Sequence, residues 1–189
     1  MLTGDILTTE LKHCTTAERQ ESGDTSKLAR ITRKEIEAAY AKGTREFSSY
    51  DMKGMDLRGA NLFRAVFSSC DMRGADLSGA NLEQATFRGG QNWFNFEGIN
   101  LGNTRLEGAR FVNSDLSMAR DFGSAQLLWT KYEKTVVTAA QFEAICAHIE
   151  RGVRKYAAGS AALSEVSRMI READSNLIIV SHISSLERK

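Results

Sequence analysis

Residues 51–90 can be written as two lines of twenty, DMKGMDLRGANLFRAVFSSC and DMRGADLSGANLEQATFRGG, which agree at eleven positions. Inside each line runs a shorter period of five. A Leu, Met or Phe recurs at Phe47, Met52, Leu57, Leu62, Phe67, Met72, Leu77, Leu82 and Phe87. We label this position i. Two residues earlier stands a smaller residue, Met55, Ala60, Ala65, Cys70, Ala75, Ala80 or Ala85, and the residue between the two is usually Asp or Asn. The two residues after i are polar or Gly. A spacing of five rotates about 140° per step around an α-helix and would smear the apolar groups over every face. Nor does it match the strand period of two. A fixed pentad with one large and one small inward residue suits a solenoid that turns at its polar residues, and the twenty-residue identity sets four sides per coil.

The motif A(D/N)LXX in tandem, as in MDLRG-ANLFR and ADLSG-ANLEQ, resembles the pentapeptide-repeat family, and nine consecutive pentads keep one register. The resemblance implies a mainly β fold, a right-handed quadrilateral β-helix with the i and i−2 residues stacked inside. It also implies a function in binding. Several members of the family bind type II topoisomerases through an acidic rod that imitates duplex DNA and through loops projecting from the coils, and some bacterial effectors carry such repeats.

Beyond Phe87 the register resumes at Phe96, Leu101, Leu106, Phe111 and Leu116, with Phe94, Ile99, Thr104, Ala109 and Ser114 two residues before them. Four residues inserted after Phe87 restore the order of faces, so that Phe47, Phe67, Phe87 and Phe111 form one column. A degenerate further coil runs through Leu116, Phe122, Leu127 and Tyr132 after a one-residue insertion. At roughly 4.8 Å between stacked strands, four coils make a stub ~19 Å tall.

A solenoid exposes unpaired backbone at its ends and needs caps. Thr32 and Glu35 form a capping box, Ile31 and Ile36 stand at staple positions and Gly43 ends the helix in αL, which predicts a helix over 33–42 that lays Ile36, Ala39 and Tyr40 on the first coil. Residues 31–137 are then the cap helix and β-helix. Residues 138–189 read as an α-helical C-terminal unit. It starts at a second capping box, Thr138 with Gln141, and carries Phe142, Ile145, Cys146, Ile149, Val153 and Tyr156 at helical spacing up to Gly159. A second helix from about Ser160 buries Leu163, Val166, Met169, Ile170 and Ala173, and the tail Leu177-Ile178-Ile179-Val180 with Ile183 and Leu186 is either a third helix or a strand. This unit caps the last coil, dimerises, or holds a partner. Residues 1–30, with the polar run CTTAERQESGDTS, form a flexible segment.

No catalytic constellation stands out. His13, His148 and His182 lie in three distant segments, and Cys146 and His148, two apart on a helix, diverge by about 200° and share no metal. Cys70 occupies an i−2 slot as a buried, inert thiol. Asp51, Asp56, Asn61, Asp71, Asp76, Asn81, Asn95, Asn100 and Asp115 recur at i−1, where Asx side chains bond nearby backbone N–H groups and hold turns. Active sites are singular, whereas scaffolds repeat. Gly54, Gly59, Gly74, Gly79, Gly98 and Gly108 fill the i+2 turn slot rather than a phosphate loop. Neither a cofactor nor a metal is expected, and the chain reads as no enzyme.

What remains is surface. The whole chain has 25 Lys and Arg against 24 Asp and Glu, and residues 45–118 hold nine acids and eight bases. A DNA mimic needs a strongly negative field, so the topoisomerase mechanism loses ground, and direct nucleic-acid binding is not expected either. The insertion brings Gln91, Asn92 and Trp93 outside the inward slots. Trp93 is either an exposed hot spot or packs over the outer wall or the C-terminal helices. Phe63 and Arg64, which replace ordinary turn residues, form a second outward pair. The chain is thus expected to be a cytoplasmic, non-enzymatic scaffold that binds another protein, with no small-molecule substrate and no membrane association. A homodimer through the C-terminal helices, a type II topoisomerase as partner, and a secreted effector are the alternatives.

Overall fold

The computed structural model describes residues 28–90, 94–156, 164, 168–172 and 176–180. Gln91, Asn92 and Trp93 of the insertion lie outside the described residues, as do Leu163, Val166 and Ala173 of the expected second helix and almost all of the N-terminal segment. The elements in chain order are β1 (Ala29–Arg30), α1 (Arg33–Ala41), β2 (Glu46–Ser48), β3 (Tyr50–Asp51), β4 (Val66–Ser68), β5 (Thr86–Arg88), β6 (Phe94–Asn95), β7 (Arg110–Asp115), a 3-10 turn (Phe122–Ser124), β8 (Lys131–Thr138), α2 (Ala139–Tyr156) and β9 (Leu177–Val180).

The pairing is parallel throughout. β2, β4, β5, β7, β8 and β9 stack in that order, β6 joins β7, and β1 pairs with β3. Phe47 pairs with Phe67 and Phe67 with Phe87, each twenty residues on, and the same offset joins Asp51 to Asp71, Asp56 to Asp76 and Asn61 to Asn81. The offset widens to 24 where Phe87 meets Phe111 and to 21 where Phe111 meets Tyr132, the two insertions the register requires. Short strands thus form a β-helix, because each pentad donates only a few backbone groups before it turns.

Every i residue from Phe47 to Leu116 is at most 1% exposed, and the interior is their stack. The rings of Phe47, Phe67, Phe87, Phe111 and Tyr132 lie near-parallel at centroid spacings of 5.6, 5.4, 5.3 and 5.9 Å. Phe94 puts a large ring in a slot that other coils fill with Cys70 or Ser114, and it packs against Phe87 and Phe96 at 5.6 and 5.1 Å. Polar residues in the small slots bond carbonyls: the Thr104 and Thr135 hydroxyls donate to Leu77 O and Phe111 O, at 3.0 and 3.1 Å.

Corners take a left-handed residue whether or not it is Gly. Gly59 has φ +63°, but Arg64, Gln84, Asn103 and Trp129 hold φ between +53° and +61° in the same slot. The Asx reading of the i−1 residues holds for eight of the nine, from Asp51 accepting the Lys53 N–H at 3.1 Å to Asp115 accepting the Ser117 N–H at 2.9 Å. Asn61 instead accepts from the Asn81 amide at 3.1 Å.

α1 opens on the capping box of Thr32 and Glu35 and ends in a Schellman pattern, with Gly43 N–H donating to Tyr40 O and Thr44 N–H to Ala39 O, both at 3.0 Å. Ile36 is fully buried. Residues 28–30, expected within the loose segment, are ordered instead: β1 pairs with the first coil, and Arg30 reaches Asp51 at 3.6 Å.

At the other end, Thr138 and Gln141 make the expected capping box, at 2.9 and 3.2 Å, and the Gln141 amide also donates to Leu116 O at 2.8 Å. Ile145 and Ile149 of α2 are buried, and residues 168–172 are helical, with Met169 buried and Ile170 half-buried. The C-terminal unit is not all-helical, however. Leu177–Val180 form a strand paired with Thr135–Thr138. The second half of β8 offers an open backbone edge, and four extended aliphatic residues satisfy it better than another helix would. No helix among the described residues is long and apolar enough to cross a membrane.

Candidate interaction surface

Phe63 and Arg64 are where the register places them, at an outward corner beside α1. Phe63 is half-buried and Arg64 exposed. The Tyr40 hydroxyl donates to Phe63 O at 2.9 Å, the Arg64 guanidinium lies 5.0 Å from the Phe63 ring centre, and Arg64 Nε donates to Gln84 Oε1 at 2.8 Å. Arg45 covers the Tyr40 ring at 3.8 Å. Two aromatics and two guanidiniums thus form one patch, with α1 tied into it by Tyr40.

The aspartates do not form an unbalanced acidic face. Arg58 grips Asp56 through two hydrogen bonds of 2.9 and 2.7 Å, and Arg73 grips Asp71 in the same way. Lys53 adds a 3.0 Å contact to Asp71. The Arg58 side chain holds the Asp56 carboxyl well below the usual carboxylate range. Burial pushes Asp71 up, but the bonds from Arg73 and Lys53 outweigh it and keep this carboxyl low as well. Each Asp-x-Arg fork follows from the pleat, which turns residues two apart at i−1 and i+1 to the same outer side.

Cys70 and His148 are both shifted towards their neutral forms. Burial pushes Cys70 up to about 11, so its thiol stays protonated at neutral pH. Cys146 and His148 are both half-buried, and His148 Nε2 lies 3.4 Å from Gly123 O. Burial lowers the His148 pKa. Among the described residues no three His, Cys, Asp or Glu side chains converge in a way that could hold a metal.

One feature escaped the sequence. A groove of about 710 Å³ lies against the last turn of the Phe column, between Trp129, Tyr132 and Glu133 of the β-helix, Ile149 of α2 and Arg168 and Met169. Trp129 is 43% exposed. Its outward position was available by counting two residues from Leu127, whereas its meeting with Ile149 and Met169 depends on how α2 returns. Burial raises the pKa of the Tyr132 phenol, and its hydroxyl has no hydrogen-bond partner among the described residues.

The family model for pentapeptide repeats matches this chain in eight copies, over residues 51–89 and 95–120, with its gap at the insertion. No curated protein matches the chain. Similar solved structures include alr5209, a pentapeptide repeat protein from Nostoc Pcc 7120, at 21% identity over 60% of this chain and 84% of that one, with a TM-score of 0.32. HetL, a pentapeptide repeat protein involved in heterocyst differentiation regulation from Nostoc sp. strain PCC 7120, is 20% identical over 57% of this chain and 52% of its own, with a TM-score of 0.34. QnrB1, a plasmid-mediated fluoroquinolone resistance protein, is 20% identical over 49% of this chain and 62% of its own, with a TM-score of 0.26. The chain therefore spans about half of HetL and under two thirds of QnrB1. The matched copies are pentads whose i residues are buried, and residues 51–89 and 95–120 of this chain are thereby identified as pentapeptide repeats.

Proposed function

We propose that this protein is a non-enzymatic interaction module: a right-handed, four-sided β-helix of about four coils, closed by α1 at one end and by α2 and β9 at the other, working in the cytoplasm on a protein partner. One observation carries the reading. The recurring polar groups are consumed by the scaffold, since eight i−1 side chains bond their own turns and the aspartates with the best geometry are gripped by arginines. Phe63, Arg64 and Trp129 face outward without holding a turn or gripping a carboxylate, although Arg64 also donates to Gln84, and Trp93 of the insertion is a further candidate. Exposed aromatic and Arg side chains are the usual anchors of protein interfaces.

The test is affinity capture from native lysate with purified full-length protein, comparing wild type with Phe63→Ala/Arg64→Ala, Trp129→Ala and Trp93→Ala. At least one variant should lose a partner that the wild type retains. An identical bound set for all four proteins sinks the choice of surface. The DNA-mimic reading, with a type II topoisomerase as partner, asks for a negative field that the Asp-x-Arg forks neutralise. Micromolar protein should leave gyrase supercoiling unchanged, and inhibition or drug protection in that assay would put the mimic reading in place of ours.

A further inference from the structure

Arg64, Gln84, Gly108 and Trp129 occupy the same corner on successive coils. All four have left-handed backbone, with φ +59°, +57°, +67° and +61°. The ladder links them, since the N–H groups of Arg64, Gln84 and Gly108 donate to the carbonyls of Glu83, Glu107 and Leu128, each at 2.9 Å. The Phe63–Arg64 patch and Trp129 are therefore two ends of one edge of the β-helix, three rung spacings or about 14 Å apart. Between them Gly108 leaves a notch, where the one described atom within reach of an added Cβ is Gln84 Cγ at 3.5 Å. The two faces that meet at this edge are basic. Above the first rung, Arg105 is paired with Glu83, and Arg110 with Glu133 at 2.7 Å. Arg64, Arg88, Lys131 and Lys134 remain against Glu107, whose Oε2 is buried. The near-neutral total conceals this surplus, because the aspartates of the coils stand on the other two faces.

We propose that this edge binds an acidic, extended segment of a partner protein that carries an apolar anchor at each end. The proposal rests on the interaction-module reading, joins its separate surface candidates into one site and names the chemistry of the ligand. An extended chain rises about 3.3 Å per residue and turns alternate residues to one side, so anchors four residues apart span about 13 Å on the same face. One anchor packs on the half-buried Phe63 ring and the other on Trp129, which is 43% exposed. The chain between them passes Gln84 and crosses the notch at Gly108. Its carboxylates lie beside Arg64 at one end and Lys131 at the other, and the surplus of bases selects acids over bases. Arg64 is pre-organised for this role. Its guanidinium lies 5.0 Å from the Phe63 ring centre and its Nε is held by Gln84, which leaves the terminal nitrogens of an exposed side chain for a carboxylate.

The experiment uses the full chain and three peptides, Phe-Glu-Glu-Glu-Phe-amide, Phe-Lys-Lys-Lys-Phe-amide and Phe-Glu-Phe-amide, each with fluorescein on an N-terminal Gly-Gly spacer and followed by anisotropy. The recognition sequences read the same in both directions, so the polarity of the bound chain need not be assumed. The long acidic peptide should bind saturably and at least tenfold more tightly than the lysine peptide, and more weakly as salt rises. Arg64→Gln and Trp129→Gly each install a residue that this corner already holds on another coil, so the fold is left intact. Each should weaken the long acidic peptide at least threefold, and Arg64→Gln with Lys131→Gln should abolish its advantage over the lysine peptide. Absence of binding to millimolar concentration, equal binding of the acidic and lysine peptides, or insensitivity to either Arg64 or Trp129 overturns the site. So does a short acidic peptide that binds as tightly as the long one, because it reaches only one end of the edge. Failure here, with capture still sensitive to Phe63 and Arg64, leaves the interaction module standing; loss of that sensitivity is what removes the broader reading.

Discussion

Gly152 of α2 faces Leu128 so closely that a Cβ on it would stand 2.2 Å from Leu128 Cδ1 and 2.8 Å from Cδ2. Helix propensity alone favours Ala over Gly at such a position by about 1 kcal/mol. Contact should win, because the added methyl has to displace a side chain held between the helix and the coil. Gly152→Ala is expected to destabilise by about 1–2 kcal/mol in urea unfolding. Adding Leu128→Ala should cost less in that background than in the wild type, since it empties the space the methyl needs. A stabilised Gly152→Ala protein would mean that α2 does not dock on Leu128.

The ring column makes a graded prediction. Phe67 is fully buried and stacked on both sides, 5.6 Å from Phe47 and 5.4 Å from Phe87. Phe67→Ala should cost about 4 kcal/mol, because neighbours fixed by the ladder close poorly around the cavity. Phe67→Leu should cost about 1 kcal/mol, as Leu fills most of the space and is the residue used on two other faces. Chemical unfolding of both variants measures the two losses, and equal losses would rule out a packed column.

Gly59 isolates backbone strain from packing. Its φ is +63° and nothing lies within 4 Å of a Cβ built there. Gly59→Ala should therefore lose about 1 kcal/mol through the left-handed penalty alone. Gly59→Asn should lose less, because Asn tolerates that region. An Ala variant as stable as wild type would show that this corner relaxes without strain.

The core could be read from the sequence because one spacing serves one side of the coil: all fourteen i residues from Phe47 to Leu116 are buried. The corners were only half legible. Gly announced φ > 0 at Gly54 or Gly79, but Arg64 and Trp129 adopt the same conformation because the ladder on either side fixes it, and nothing in those side chains advertises that. β9 was ambiguous for a different reason. Four consecutive aliphatic residues satisfy a buried helix or a buried strand equally, and only the open edge of β8 decides between them. The groove was least legible, since Trp129, Ile149 and Met169 come from three segments whose separation in sequence has no fixed relation to their meeting.

Asp71 should tie stability to pH. Its side chain is 4% exposed and accepts from Arg73 at 2.7 and 2.9 Å, with Lys53 at 3.0 Å. Its pKa is lowered in the folded protein, so folding favours the charged form. The carboxylate's contribution is therefore complete above the unfolded carboxyl value, near pH 4, and is lost as pH falls through the lower folded value. Asp71→Asn should cost about 2 kcal/mol at pH 7, the scale of hydrogen bonds to a charged group, because it removes the acceptor that Arg73 and Lys53 share. Below pH 4 the unfolded chain takes up the proton first and the folded carboxylate follows only at its lower value, so the gap between the two proteins should narrow. Urea midpoints from pH 7 to pH 3 measure this, and a gap that stays constant over that range would show that the Asp71 carboxylate takes no part in holding the first two coils together.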